Sequence, residues 1–387
     1  MLKMKRKIVY CIPSLYNSRG MERVTTIKAN HFASSGRYEI IIIVTDGRDK
    51  KPFFELYPSI KIINLDINYD DLYHSSLFKR VIGYFKKQRL YKKRLTETLK
   101  SIRPDITISL LRREINFLHT IKDGSIKIGE FHLSRLNYRN LEEGYIPKFF
   151  QQMISRIWMR QLTSALRKLD RFVVLTHEDS HNWPELNNVA VIGNPLSFIP
   201  PEFSACMNKQ MIAVGGLFAV KRFDLLIDCW AKVVKKHPDW VLKIYGEGML
   251  REPLQQQIQQ LSLTENCYLE KSTTDIINKY IESSCYLLTS KNEGFPMVII
   301  EAMICGLPVV SFACPCGPRD IISHGIDGFV VENGNAEEFE NRVSEIIENE
   351  EMRLQMGRQA QKNIQRFSIE NVGKQWEDLF DELLGVK

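Results

Sequence analysis

Two carboxylates eight residues apart, Glu293 and Glu301, bracket the segment of this chain best equipped for chemistry. Gly294-Phe295-Pro296-Met297 and an apolar stretch run between them, and Ala302-Met303 and Gly306-Leu307-Pro308-Val309-Val310 follow. A strand ending in Thr289-Ser290 would deliver a turn at Gly294 and Pro296 and then open a helix. Backbone N–H groups of Phe295, Met297 and Val298 would then sit at a helix N-terminus without intrahelical acceptors, an anion site suited to phosphate. If the segment were fully helical, a rise of roughly 1.5 Å per residue would separate the two carboxylates by at most about 12 Å, enough to reach different parts of an extended ligand. Cys314-Pro315-Cys316 could suggest a metal or redox pair, but no His or Cys set at zinc spacing accompanies it, and it reads as a plain loop.

These residues need elements to hold them. Short runs rich in Ile and Val read as strands at 8–12, 39–45, 60–65, 105–110, 126–130, 171–175 and 189–192. Amphipathic stretches at 22–34, 79–102, 147–168 and 178–183 read as the helices between them. A second series follows, with strands at 210–214, 241–245, 267–269, 285–289, 308–312 and 328–331 and helices at 222–236, 250–261, 275–282 and 298–305. Such alternation predicts an α/β protein of two Rossmann-like domains built on parallel sheets. Residues 1–195 would form the first domain and 196–366 the second, because Pro195, Pro200 and Pro201 end regular structure at the join. The tail, 336–384, reads as helices, and the last one, within 367–387, is expected to pack back on the first domain. A ligand cleft is expected where the carboxyl ends of the two sheets face each other.

With 387 residues, 44% hydrophobic and 26% charged, the chain can bury two cores and is too well mixed to be disordered or a small binding module. No apolar run reaches the roughly 18 to 20 residues needed to span a bilayer. The basic start, Lys3 to Lys7, leads into a strand and lacks the core and cleavage site of a signal peptide. Eight cysteines set mostly in apolar segments, without a C-x-x-C pair, point to a reducing cytosol. The net charge of +7 is unevenly spread: residues 1–195 carry 34 Lys and Arg against 19 Asp and Glu, and the rest carries 19 against 27. Residues 79–103 hold ten bases and one acid interleaved with Phe78, Tyr84, Phe85, Leu90, Tyr91 and Leu95, a pattern suited to an anionic surface.

The Glu293-Gly294-Phe295-Pro296 run, Glu301 eight residues on, and Gly306-Leu307-Pro308-Val309-Val310 together resemble the retaining glycosyltransferases of family 4, and the likeness extends over nearly the whole chain. The resemblance implies the GT-B fold, two Rossmann-like domains facing a central cleft. It implies that Glu293 binds hydroxyls of the transferred sugar and Glu301 the ribose of the nucleotide. Val214-Gly215-Gly216-Leu217 with Lys221 looks like the family's diphosphate clamp: Lys221 aligns, while Gly216 stands at the usual arginine position, leaving Arg222 or Arg319 as a possible replacement. Gly246 lies in the glycine turn that approaches the nucleotide, and Lys271 stands where a glycine near the base is usual. Gly20, after Arg19, matches the glycine-rich loop beside the donor phosphate and acceptor, and His132 matches a histidine near the transferred sugar. Arg319, in a loop common in bacterial enzymes using UDP-sugars, is a phosphate or acceptor contact on the same grounds.

No Asp-x-Asp occurs, so the metal clamp of the other large glycosyltransferase fold is not expected, nor any cofactor beyond a nucleotide-sugar co-substrate, with UDP the expected nucleotide. The expected activity is retaining transfer of a hexose or N-acetylhexosamine onto a lipid-linked saccharide for a bacterial capsule, O-antigen or exopolysaccharide. The expected setting is the cytoplasm, with peripheral attachment to an anionic membrane through residues 79–103 and 148–171. Rival readings are a nucleotide-sugar epimerase or phosphorylase on the same fold, or a basic nucleic-acid-binding protein; the latter finds no recognisable reading motif.

Overall fold

Strands here are nearly continuous apolar runs because both faces of each sheet are covered, as parallel sheets require. In the computed structural model, residues 5–72, 76–138 and 148–386 are described. The chain divides into two units, one of Met1–Leu175, Ser180–Pro195 and Ile369–Lys387, the other of Thr176–Asp179 and Leu196–Ser368.

The first unit runs β1 (Arg6–Ile12), α1 (Gly20–Ser34), β2 (Tyr38–Val44), β3 (Lys61–Asn64), α2 (Leu77–Ile102), β4 (Ile106–Ser109), β5 (Ile126–Phe131), α3 (Lys148–Leu166), β6 (Arg171–Val174), α4 (His177–His181) and β7 (Val189–Val191), with the first residues of α4 belonging to the other unit. Its sheet is parallel throughout in the order β3-β2-β1-β4-β5-β6-β7. The order reverses between β1 and β4, so a crevice opens at their carboxyl ends. One face is covered by Leu95 and Leu99 of α2 and Leu162 and Leu166 of α3. The other is covered by Ala29 and Phe32 of α1 and by the last helix.

The second unit runs β8 (Gln210–Val214), α5 (Phe223–Lys236), β9 (Val241–Tyr245), α6 (Arg251–Gln260), β10 (Cys267–Glu270), α7 (Ile276–Ile281), β11 (Cys285–Leu288), α8 (Met297–Ile304), β12 (Val309–Phe312), α9 (Pro318–Ile321), β13 (Gly328–Val331), α10 (Ala336–Glu348) and α11 (Glu350–Asn363). Its sheet, again parallel, has the order β10-β9-β8-β11-β12-β13 and reverses between β8 and β11. The chain then returns to the first unit as α12 (Ile369–Leu384). Val372, Trp376, Leu379 and Phe380 make a stripe at helical spacing, buried against α1, where Phe380 meets Phe32 at 5.5 Å between ring centres.

The basic stretch of residues 79–103 is sorted by the fold. Tyr91, Leu95 and Leu99 of α2 are buried, while Val81, Ile82 and Phe85 remain exposed. Lys87 and Arg94 are tied to loop carbonyls, Lys87 to Ile67 and Asn68 and Arg94 to Leu65 and Asp66. Lys86, Lys92 and Lys93 stay exposed. In α3, Met153 and Ile157 are exposed. Pro147, where that helix was expected to begin, and the side chains of Phe78, Phe149 and Phe150 lie outside the described residues. Among the described residues no helix is long and apolar enough to cross a membrane.

Candidate active site

Loops leaving the carboxyl ends of β8 and β11, the two strands at which the second sheet reverses, carry Lys221 and Glu293. Lys221 Nζ lies 2.6 Å from Glu293 Oε1, with the side chains 20% and 13% exposed. The hydroxyl of Thr289, just past β11, donates to the carbonyls of Lys221 and Arg222 at 3.0 and 3.1 Å and pins the turn. The Glu293 N–H donates to the Pro315 carbonyl at 3.2 Å. A lysine and a carboxylate held this way can exchange partners: an arriving anion takes the ammonium, and the carboxylate turns to hydroxyl donors.

α8 begins at Met297, so Glu293, Gly294, Phe295 and Pro296 form a loop and the fully helical spacing of the two glutamates does not hold. Met297 and Val298 occupy the first turn, where N–H groups lack intrahelical acceptors. Phe295 packs edge-on against Phe367 at 5.4 Å. Pro296 abuts Gly317, whose φ of 138° and closeness to the proline ring leave no room for a Cβ. Glu301 is 6% exposed; the Ser197 hydroxyl donates to its Oε1 at 2.6 Å, and the Tyr280 hydroxyl lies 3.5 Å from Oε2.

The turns after β8 and β9 run backbone against backbone. Gly215 N–H donates to the Tyr245 carbonyl at 3.0 Å and Leu217 N–H to the Glu247 carbonyl at 2.9 Å. A methyl group on Gly246 would collide with the Gly215 carbonyl oxygen, so this crossing demands glycine. Gly216 is less constrained, since a methyl there would stand 2.6 Å from the Phe218 ring, which is exposed and can swing aside. The two suggested replacements for an arginine at that position differ. Arg222 takes a left-handed conformation (φ 50°) ahead of α5, and Arg319 donates to the Ala313 carbonyl and to Glu332, both at 3.3 Å.

In the first unit Gly20 opens α1, with nothing within 4 Å of where a Cβ would stand. His132 follows β5, its Nε2 3.1 Å from Glu130 Oε1. Glu130 also holds the ammonium of Lys28, and both of these side chains are 1% exposed. Burial alone would raise the Glu130 carboxyl, but Lys28 and His132 outweigh it and draw its pKa down to about 2. Lys28 Nζ in turn lies 4.7 Å over the ring of Trp376 in α12.

Residues 200–363 match the family model described as glycosyl transferases group 1. An uncharacterized glycosyltransferase of Haemophilus influenzae is 32% identical over 381 residues, covering 97% of this chain and 99% of that protein. The chain belongs to this family, group 1 or family 4. It is therefore a glycosyltransferase, an enzyme of the hexosyltransferase type. The amylovoran biosynthesis glycosyltransferase AmsD of Erwinia amylovora is 31% identical over 238 residues, 57% of this chain and 66% of its own length. The crystal structure of S. aureus TarM in complex with fondaparinux, alpha-GlcNAc-glycerol and UDP superimposes with a TM-score of 0.72 at 17% identity, over 97% of this chain and all of that one, and identifies the GT-B fold.

Several contacts in the glycosyltransferase escaped the sequence. Asp320 accepts the N–H groups of His177 and Glu178 at 2.8 and 3.2 Å, and Glu178 accepts the Cys316 N–H at 3.0 Å, which ties Thr176–Asp179 to the second unit. Ser197 carried no signal at all. Glu130 did carry one: it stands two residues before His132, and side chains two apart along an extended segment share a face. Cys314 and Cys316 are buried and form no disulfide, and burial pushes the Cys314 thiol up, away from the reactive thiolate.

Proposed function

We propose that this glycosyltransferase moves a hexose or N-acetylhexosamine from a UDP-linked donor, with retention, onto a lipid-linked saccharide during synthesis of a bacterial surface polysaccharide. The Lys221–Glu293 pair at the reversal of the second sheet is the observation that carries this reading. The donor diphosphate takes the Lys221 ammonium and the N–H groups of the first turn of α8, around Gly294, Phe295, Pro296 and Met297, while Glu293 receives sugar hydroxyls. Glu301, oriented by Ser197, accepts from the ribose. Gly216 and Gly246 let the nucleotide approach the backbone. On the acceptor side, Gly20 leaves the loop open and His132 stands near the transferred sugar. Arg319 joins the donor site only by leaving Glu332.

Transfer then runs on one face of the sugar. The bond from the anomeric carbon to the phosphate oxygen breaks, the acceptor oxygen bonds to that carbon, and the acceptor proton passes to the leaving phosphate. Lys221 and the helix N-terminus supply the charge that a divalent cation would otherwise provide. The names of AmsD, from amylovoran biosynthesis, and of the UDP complex of TarM support the polysaccharide and UDP parts of the reading. The exposed Lys86, Lys92 and Lys93 fit attachment to an anionic membrane on its cytoplasmic side.

A panel of nucleotide sugars, screened by thermal unfolding in EDTA, tests the donor. A UDP-sugar at 100 times its dissociation constant should stabilise by about 2.7 kcal/mol. Stabilisation by another nucleotide instead, or only after Mg²⁺ is added, would refute the donor or the metal-free clamp respectively.

A further inference from the structure

A polar cavity at the reversal of the first sheet and an apolar one next to it both have Arg113 in their walls. A third cavity, of about 430 Å³, shares no residue with either. It lies between α3, which links β5 to β6, and the segment that leads into the edge strand β7, and Arg135, Arg156, Arg160, Ser164, Arg167 and Glu185 line most of it. Among the described residues, four guanidinium groups thus surround a space with one carboxylate in its wall.

That carboxylate is already engaged. Glu185 accepts both arms of the Arg135 fork at 2.8 Å, and the same guanidinium lies 4.7 Å over the ring of Trp183, which is buried edge-on to Phe172 and Phe131. Arg135 holds the Glu185 carboxyl below the usual carboxylate range, so the pair stays ionised and its charges cancel. Arg167 donates to the Glu185 carbonyl at 3.2 Å and keeps its charge. Arg156 and Arg160 are exposed and have no carboxylate partner among the described residues. One turn apart on α3, they repel each other in the free protein, a cost that a bound anion would remove. Two guanidinium forks and the Ser164 hydroxyl, at four-residue spacing on one face of the helix, offer more donors than the two oxygens of a carboxylate can use and suit the oxygens of a phosphoryl group.

We infer that this pocket is a second anion site, separate from the donor crevice, which takes the phosphate group of a phosphate ester: Arg156 and Arg160 hold its oxygens, Ser164 donates a further hydrogen bond, and Arg167 adds positive charge. The fixed Arg135–Glu185 pair over Trp183 is its rigid wall. A soluble phosphate ester and the headgroup of an anionic phospholipid present the same group. Met153 and Ile157, exposed three residues before Arg156 and Arg160, are their neighbours on the helix surface, where a lipid would add contacts that a soluble ester does not.

Isothermal titration of the full chain with sn-glycerol 3-phosphate tests the site. The unmodified chain should bind it at least tenfold more tightly than a variant with Arg156→Gln and Arg160→Gln. Lys86→Gln combined with Lys92→Gln removes the same charge elsewhere on the first unit and should leave this binding unchanged, as should Lys221→Gln in the donor crevice. Unchanged thermal unfolding of the arginine variant without ligand shows that it folds. Sedimentation with phosphatidylglycerol vesicles separates the two sources. Competition by glycerol 3-phosphate, with a greater loss in the arginine variant than in the lysine variant, assigns the headgroup; equal losses without competition assign a soluble ester. Equal weakening of ester binding in the arginine and lysine variants, weakening by Lys221→Gln alone, or no saturable binding to the unmodified chain would overturn the inference.

Discussion

Both sheets reverse their strand order once, yet the two reversal points are built differently. In the second unit the crevice is tight: Lys221 and Glu293 are paired, Thr289 pins their turn, and Gly246 crosses Gly215 with no room for a Cβ. In the first unit it is open: Gly20 has no neighbour within 4 Å of a Cβ position, and Arg19 and Arg112 have no carboxylate partner among the described residues. One topology therefore gives one organised and one open crevice. On the proposed reading the first handles a nucleotide diphosphate, a recurring ligand for which a site can be organised in advance, and the second leaves donors and space for an acceptor.

Gly246→Ala against Gly20→Ala gives the sharpest contrast. The first should cost at least about 3 kcal/mol, because backbone on both sides of the crossing must move. The second should change stability by no more than about 0.5 kcal/mol. Denaturant unfolding of the two variants checks this, and equal losses would erase the distinction between a tight and an open crevice.

The ion pairs should separate stability from activity. Lys28–Glu130 is sealed, while Lys221–Glu293 is partly open. Because the Glu130 carboxyl falls from 4.5 to about 2 on folding, its stabilisation is complete above pH 4.5 and is lost as pH drops towards 2. Glu130→Gln should therefore lower stability at pH 7 and flatten the acid limb of its pH profile. A variant that keeps the acid limb of the unmodified protein would assign it to other carboxylates.

On the proposed reading, in which Glu293 receives hydroxyls of the reacting sugar, Glu293→Gln should lower kcat about 100-fold with little change in donor KM. Glu301→Gln should instead raise donor KM about tenfold with a smaller effect on kcat, because the same reading gives it the nucleotide's ribose. Steady-state kinetics with the donor identified by the thermal screen decides, and matching profiles for the two variants would merge their roles.

The smallest effects concern the opposite charges of the two halves. Changing Lys86, Lys92 and Lys93 to Gln should each weaken binding to anionic liposomes by about 1 kcal/mol at low salt. Lys87 is left in place because it holds the carbonyls of Ile67 and Asn68. Sedimentation that ignores both salt and these substitutions would remove the membrane from the account.

All thirteen strands are legible in the sequence, because a buried parallel strand is a local property: β2, for example, is a run of Ile40-Ile41-Ile42-Ile43-Val44 bounded by polar loops. The strand, turn and helix N-terminus that place Glu293 and Glu301 are legible for a related reason, since all three lie within one short segment. Side-chain partners are another matter. Lys221 meets Glu293 across 72 residues, Lys28 meets Glu130 across 102, and Ser197 meets Glu301 across 104. Such meetings depend on which strands become neighbours and on register, and no local pattern encodes either. The same holds for Arg319, whose guanidinium is taken by Glu332, and for Arg113, which lies on two cavity walls because the loops after β2, β3 and β4 converge. Periodicity determined the elements, and the run from Glu293 to Val310 carried the resemblance to the family; the order of strands in each sheet decided which charges are paired, which are buried and which are left for a ligand, because electrostatic partnership depends on distance in space and not on distance along the chain.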